Sequence, residues 1–447
     1  MIYLYFAFLL VALFIAFFLN GKDIISPTVI TILTFLIGSI FSIIGSLEWN
    51  NSSLSFVTIL VVLLSIVSME CGELLVRKCT LRKKNKLSIK PLPIKIPLYL
   101  HLLLLAVSFL SVYLYYKRIT QIAISQGYSG SLFLNYVRMG INEGGQSIGY
   151  LITILTSFSK SLGYICIFVF IRNLILYKKK TSIFGDFVLL IQSAPLIVLL
   201  YLASSRYAFL KLIVYIFVCT FLLLFKYKAI KFKIKHFAML SIGGLLFLFA
   251  FYGIYTLMGS SRGSFSTFTS SDKFTMYAGS SIFGLDSYIK GGMKSSSYFG
   301  EETLVGLYSL INRFAPDFPT GTRFLEAYPL GGGLTSNVYI MVRSLIADYS
   351  FIGMVLIEFA IGLVFTAAYY KVRYYSRKEY LVIVYSYFCY GLVFQLFAPL
   401  MISDLFSISQ ILELFMIAVL ISILKKRALL QNKYKHLLVQ EPIVFKR

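Results

Sequence analysis

Stretches of about 20 apolar residues recur along nearly the whole chain, and they constrain its fold more than any other feature. The first begins at Met1 and the last ends near Leu424. Of the 447 residues, 58% are hydrophobic and 13% are charged, whereas a soluble domain carries about 25% charged residues. Because a backbone in lipid must satisfy its own hydrogen bonds, helices are the expected spanning form. The sequence predicts an all-α polytopic membrane protein and excludes disordered, collagen-like and disulfide-scaffold classes.

Hydropathy and segment length predict eleven spans, within a range of ten to twelve. They lie near 1–20, 24–46, 54–74, 96–116, 147–171, 184–203, 207–225, 237–258, 346–370, 380–400 and 408–424. The first is expected to be a retained helix, because it has no basic lead-in and no small-residue cleavage site.

Basic residues concentrate in short runs between these stretches and account for much of the net charge of +24. The runs are 77–95, 172–180, 226–235, 371–378 and 425–447. In a soluble protein this excess would suggest nucleic acid, but short Lys- and Arg-rich connections between spans stay cytoplasmic. The pattern predicts an outside N-terminus, a cytoplasmic C-terminus, contact with anionic lipid and no nucleic-acid partner.

Two predicted outside segments, 117–146 and 259–335, are too long for simple turns. The chain is therefore predicted to comprise a transmembrane bundle of about eight spans at 1–258, which includes the outside segment 117–146, and a large outside loop at 259–335. Three spans follow at 336–424, and a basic cytoplasmic tail at 425–447. The large loop holds 12 of the 30 glycines and balanced charges. Because loops of this length are often functional, we expect short helices there that cap an outward-facing cavity and carry the chemistry.

Histidine and cysteine are placed away from this outer face. All three histidines and all five cysteines lie in predicted spans or on the cytoplasmic side. Metal-ligand spacing and a phosphate-binding loop are missing from the sequence. We therefore expect no metal, no cofactor and no exported disulfide, and a histidine-dependent membrane acyltransferase is disfavoured.

Two arginines near the outer membrane surface are the first functional candidates. Arg206 ends a tight Ser-Ser-Arg turn between the sixth and seventh spans, and its planar fork suits phosphate oxygens. The structural alternative is an interfacial arginine that reaches lipid headgroups. Arg343 and Asp348 lie at the outside entrance of the ninth span. They are either a structural ion pair or a cation for phosphate with an acceptor for a hydroxyl proton.

The large loop supplies further polar candidates among aromatic residues. Arg262, Asp286 and Arg313 stand out there, and their aromatic neighbours suit sugar rings or anchorage at the interface. Each signal is weak when taken singly.

Together these residues resemble the repeat-unit polymerases of bacterial surface polysaccharides, the Wzy-type O-antigen and capsule polymerases. The resemblance is carried by Asn337, Val338, Tyr339, Arg343, Asp348, Tyr349, Ile352 and Gly353, by Ser205-Arg206, and by the stretches 284–289 and 300–313. The family often has NVYT and Asp-Phe-Gly, where this chain has Ile340 and Ser350 at the last positions.

The resemblance implies a metal-independent membrane glycosyltransferase of the polymerase/ligase (GT-C-like) superfamily in the bacterial cytoplasmic membrane. It would move a growing glycan from undecaprenyl pyrophosphate onto an incoming lipid-linked repeat unit at the extracytoplasmic face. Donor and acceptor are both lipid-linked oligosaccharides, and a chain-length regulator and a flippase are compatible partners. A flippase for such lipids and a glycan ligase of the same superfamily are the rivals, although ligases usually employ an outside histidine.

In this hypothesis, arginines stabilise the departing pyrophosphate and a carboxylate takes the acceptor proton. Arg206 and Arg343 are assigned to the pyrophosphate. Asp348 or Asp286 is assigned as the base or as the group that orients the acceptor, and the sequence does not choose between the two residues. Further phosphate or glycan contacts are expected from Arg262, Arg313, Asn337 and Tyr339.

Overall fold

The protein is a polytopic helical membrane protein, as its sequence predicts. The computed structural model describes residues 1–49, 53–80, 97–128, 130, 133–142, 145–177, 183–203, 206–228, 253, 270–375 and 379–439. In this part of the chain, seven helices are long and apolar enough to cross a membrane. Three shorter apolar helices, Phe187–Leu202, Tyr380–Phe394 and Ile408–Ile423, coincide with further predicted spans. The predicted span 237–258 lies almost wholly outside the described residues, so the count of eleven stays a prediction.

The chain divides into two compact units that interleave in sequence. The first comprises residues 1–87 and 206–410, and the second comprises residues 88–205 and 411–447. The helices before residue 205 are α1 (Ile2–Leu19), α2 (Pro27–Glu48), α3 (Phe56–Thr80), α4 (Leu98–Ser125), α5 (Phe133–Asn142), α6 (Tyr150–Tyr177) and α7 (Ile183–Leu202).

The remaining elements begin with a long helix and continue through the large loop. They are α8 (Arg206–Lys228), α9 (Ser270–Gly279), α10 (Ser281–Lys290), α11 (Val305–Ile311), β1 (Tyr328–Gly331), β2 (Leu334–Ser336), α12 (Met341–Tyr370), a π-helical turn (Lys371–Tyr375), α13 (Tyr380–Phe388), α14 (Tyr390–Phe394), α15 (Leu400–Leu405) and α16 (Ile408–Val439).

Close packing of α3 along α12 forms the centre of the first unit. Gly72 of α3 and Gly362 of α12 sit where the two backbones approach most closely. A Cβ at Gly362 would overlap the Met69 carbonyl, and one at Gly72 would overlap the Phe359 carbonyl. Small residues allow such an approach in lipid, where helix association depends on packing rather than on the hydrophobic effect.

One end of the first unit carries arginines, and the other end contacts the large loop. At the end that we call the basic end, Arg373 pairs with Asp23, Tyr369 donates to Asp23 at 2.8 Å, and Arg77 donates to the Leu19 carbonyl. At the opposite end of α3, Ser55 meets Asp286 of the large loop. We call this the loop end. Arg77 and Arg373, which belong to the predicted cytoplasmic runs 77–95 and 371–378, therefore lie at the opposite end of the unit from Asp286 of the predicted outside loop.

Short helices make up much of the described part of the large loop, but a β-hairpin accompanies them. Antiparallel β1 and β2 pair Tyr328 with Ser336. Gly331, Gly332 and Gly333 all have positive φ angles, which L-residues with side chains rarely adopt. This hairpin differs from the predicted loop, which contained only short helices, although a run of glycines between two short strands is typical of a hairpin.

In the second unit, polar side chains join helices that lie within an apolar bundle. Ser111 of α4 and Ser159 of α6 share a hydrogen bond of 2.6 Å. Lys160 forms an ion pair of 3.3 Å with Glu413, and Ser161 donates to the Glu413 backbone carbonyl. A charged residue in a spanning helix is tolerated because it has such a partner.

Replacing Gly362 by valine is expected to destabilise the protein, because a β-branched side chain would force α3 away from α12. Overpacking of this kind costs about 1–3 kcal/mol. Thermal unfolding in detergent should show a clearly lower midpoint for Gly362→Val. Ala360→Val is the matched control, since Ala360 is exposed on the same helix. Equal midpoints for the two variants would contradict the proposed close packing.

Candidate functional site

Arg343 lies near the start of α12, with its guanidinium largely removed from solvent. The residue is 8% exposed. The Met341 amide before it donates to the Gln395 carbonyl at 2.7 Å, which fixes the first turn of the helix. The guanidinium carbon lies 4.8 Å from the ring centre of Tyr288 and 4.9 Å from that of Tyr339. Desolvated cation–π contacts of this kind contribute about 2 kcal/mol.

Glu302 supplies the counter-charge for Arg343. Its carboxylate forms an ion pair with Arg343, and the two side chains are 9% and 10% exposed, respectively. Burial raises the pKa of Glu302, and the Arg343 cation offsets this rise only in part. We call Arg343, Glu302, Tyr288 and Tyr339 the arginine site.

Asp348 organises the loop that carries Glu302. Its carboxylate accepts the Thr303 amide at 2.9 Å, the Thr303 hydroxyl at 2.7 Å and the Ser296 hydroxyl at 2.5 Å. The Glu302 amide also donates to it at 3.2 Å, and the Ser296 amide donates to the Ala347 carbonyl. Both oxygens of Asp348 are therefore occupied by donors that hold the loop 296–303 on α12.

Ser350 breaks α12 just after Asp348. Its φ is 65° and its ψ is 179°, a combination that is almost confined to glycine. The segment 341–349 is thereby separated from the long apolar part of the helix.

Asp286 is a second organising carboxylate, on α10. It accepts the Ser55 amide at 2.8 Å, the Thr58 hydroxyl at 2.7 Å and Lys290 Nζ at 2.6 Å. Burial alone would raise its pKa, but these hydrogen bonds outweigh burial and lower it. Asp286 thus joins the loop to the start of α3.

Two predicted substrate contacts, Tyr339 and Asn337, precede α12. The Tyr339 hydroxyl donates to the Glu326 carbonyl at 2.9 Å, and its ring centre lies 4.9 Å from that of Tyr328. Tyr339 is therefore part of the arginine site. Asn337 is exposed beside it.

The other predicted arginines are not brought to Arg343 by any described contact. Arg313 follows α11 and is exposed. Arg206 begins α8, but its side chain lies outside the described part of the chain, as does the whole of Arg262. The assignment of Arg206 to the pyrophosphate, and of Arg262 and Arg313 to phosphate or glycan contacts, therefore stays a prediction.

Glu302 and Tyr288 are site residues that the sequence analysis did not select. Tyr288 belongs to the stretch 284–289, and Glu302 belongs to the stretch 300–313, and both stretches resemble the family pattern. The resemblance of these stretches could have been used to select both residues. Glu302, however, shares the loop with Glu301 and Glu326, and the sequence alone does not distinguish the three glutamates.

The arrangement can bind an anion and exchange a proton. A desolvated guanidinium offers several directed donors to phosphate oxygens. Arg343 Nε donates to no described residue. The described residues contain no group of three or more His, Cys, Asp or Glu side chains placed to hold a metal.

Comparison with known protein families, characterised proteins and solved structures finds no match for this chain.

Replacing Ser350 by glycine is expected to stabilise the protein, because it relieves a backbone conformation that costs a side-chain-bearing residue about 1–3 kcal/mol. The midpoint of thermal unfolding should rise. Ser309→Gly in α11 is the control, because Ser309 is exposed in regular helix and glycine there should destabilise by about 0.5–1 kcal/mol. A lower midpoint for Ser350→Gly would contradict strain at this position.

Replacing Asp348 by alanine is expected to release the loop 296–303. Hydrogen bonds to a charged group contribute about 1.5–3 kcal/mol each, so amide exchange at Glu302 and Thr303 should become at least about tenfold faster. Hydrogen–deuterium exchange with mass spectrometry measures this. Asp317→Ala removes an exposed aspartate of the same loop and should leave exchange at 302–303 unchanged.

Proposed function

We propose that this chain is a membrane glycosyltransferase that polymerises lipid-pyrophosphate-linked oligosaccharide repeat units on the extracytoplasmic face, like the Wzy-type polymerases that it resembles. The observation that carries this proposal is the arginine site. A buried cation paired with a carboxylate lies at the loop end, opposite the basic end. A pyrophosphate leaving group needs a fixed cation, and an acceptor hydroxyl needs a nearby carboxylate.

The aromatic surface of the loop supports a saccharide substrate. The ring centres of Tyr298 and Tyr308 lie 5.1 Å apart, and those of Tyr308 and Phe318 lie 5.4 Å apart. Phe314 is 84% exposed in the same region. Exposed aromatic faces beside polar groups suit the apolar faces of sugar rings, and they leave the arginine site for the charged end of the substrate.

The proposed location, substrates and further contacts follow from the resemblance to the Wzy-type polymerases. The protein would lie in the bacterial cytoplasmic membrane with eleven spans and belong to the polymerase/ligase superfamily. Its donor and acceptor would be undecaprenyl-pyrophosphate-linked oligosaccharides, with Arg206 as a second pyrophosphate contact. Asp286 and Asp348 would keep the loop in place, and Arg262 and Arg313 would extend the phosphate or glycan contacts.

The first test is the glycan profile of cells that lack the protein, compared with cells complemented by it. Loss of long polymer, with single repeat units still exported, is the expected result. Accumulation of lipid-linked units on the cytoplasmic face would instead identify a flippase and overturn the proposal.

Complementation with variants tests the role of Arg343. Arg343→Lys keeps the charge but loses the planar fork, and we expect polymer yield to fall by about 10–100-fold, which corresponds to about 1.4–2.7 kcal/mol. Lys294→Ala removes an exposed cation of the same loop and should leave yield unchanged. Full polymerisation by Arg343→Ala at normal protein level would contradict the assignment, and the same test applies to Arg206→Ala.

A further inference from the structure

We infer that Glu302 is the general base of the proposed polymerase: pyrophosphate takes its place beside Arg343, and the released carboxylate accepts the proton of the acceptor hydroxyl. This inference rests on the proposed function and deepens it. Glu302 replaces Asp348 and Asp286 as the candidate base. It differs from them because its carboxylate has one dominant side-chain partner, whereas each aspartate accepts several hydrogen bonds.

Asp286 and Asp348 already accept hydrogen bonds from several other donors. Asp286 accepts from two residues of the α3 start and from Lys290, and these contacts lower its pKa. Asp348 accepts from Thr303, Ser296 and the Glu302 amide. A carboxylate that holds a loop through several charge-assisted hydrogen bonds would have to abandon them to accept a proton. Each is therefore better described as a positioning residue.

Glu302, by contrast, has one dominant side-chain partner, Arg343, which the substrate pyrophosphate would bind instead. One oxygen, Oε1, meets Arg343. The other, Oε2, is buried and accepts no hydrogen bond from a described residue. The Ser344 side chain lies close enough to the carboxylate to lower the pKa of Glu302, but less than Arg343 does. The backbone of Glu302 is held by Asp348. The main chain of Glu302 is therefore held independently of the contact between its carboxylate and Arg343.

The pKa of Glu302 depends on the groups around its carboxylate. The charged and titratable groups that face Glu302 are Arg343 and Asp348 of α12, Tyr288 of α10, and Tyr339. Burial raises the pKa of Glu302, while Arg343 holds it down. Once a pyrophosphate shares the Arg343 cation, this lowering weakens and the carboxylate becomes a stronger base. Donor binding would therefore activate the base at the moment when it is needed.

The proposed step balances in atoms and charge. The acceptor hydroxyl oxygen forms a bond to the anomeric carbon of the donor glycan, and the bond from that carbon to the pyrophosphate oxygen breaks. The bonding electrons leave with the lipid pyrophosphate, whose added charge Arg343 stabilises. The hydroxyl proton passes to Glu302, which later returns it to water.

The test uses the purified full chain with lipid-pyrophosphate-linked repeat units. Glu302→Gln keeps the shape and removes basicity, so we expect the initial polymerisation rate to fall by about 10²–10⁴-fold. Glu302→Asp keeps a carboxylate and should be at least about tenfold faster than Glu302→Gln, a difference of about 1.4 kcal/mol. Glu326→Gln, an exposed carboxylate of the same loop, should match the wild-type rate.

Binding of inorganic pyrophosphate, measured by calorimetry, separates a base from a merely structural residue. Removing the competing carboxylate should leave the Kd of Glu302→Gln equal to that of the wild type or lower it, whereas damage to the site would raise it. The pH profile is the third readout. Because a base must be ionised, the wild-type rate should fall as the pH drops through the pKa of Glu302, which burial raises above that of an exposed glutamate.

The inference is overturned if Glu302→Gln polymerises within about threefold of the wild-type rate, which is under about 0.7 kcal/mol. It is also overturned if Glu302→Asp is no faster than Glu302→Gln, or if Glu302→Gln binds pyrophosphate more weakly. Should Glu302→Gln fail to fold, a wild-type rate that stays flat across the acid range would overturn it. If the wild-type protein formed no polymer, that result would instead contradict the proposed polymerase function itself.

Discussion

Removing the Arg343 guanidinium from water is costly unless other groups replace its hydration, and the loop end of the first unit is arranged to do this. The guanidinium lies over the rings of two tyrosines, Tyr288 and Tyr339, and Glu302 neutralises its charge. Glu302 is in turn positioned by Asp348, through the backbone of the loop. The geometry of the loop therefore depends on where α12 places Arg343 and Asp348, and both belong to the short segment before the break at Ser350.

That segment exists because α12 does not continue as one straight helix. The positive φ of Ser350 ends the regular backbone, and the Ala347 carbonyl is left to accept the Ser296 amide. Beyond the break, Gly362 holds the rest of α12 against α3. The same helix thus has two tasks, close packing within the membrane and support of a polar site at its end. The strained residue between them separates the two.

Pairing a buried cation with a carboxylate suits a reaction in which a negatively charged group arrives and departs. A permanent ion pair would only need to be stable, and an apolar substitute would often stabilise as well. Here the carboxylate has a raised pKa and the guanidinium retains an Nε that donates to no described residue. The pair is therefore suited to exchange partners with an anionic substrate, as the proposed transfer of a glycan from pyrophosphate would require.

The sequence by itself determined the class of the protein, because the length and apolarity of its segments follow directly from the thickness of a bilayer. It also predicted that the basic segments and the large loop lie at opposite ends. It selected Arg343 and Asp348 as polar residues of an otherwise apolar helix, and Asp286 as a polar residue among the aromatic residues of the loop. Only the tertiary structure decided their partners. Glu302 stands 41 residues before Arg343, and no local pattern links them. Contacts between distant segments depend on how the loop folds onto α3 and α12, which hydropathy and spacing do not specify.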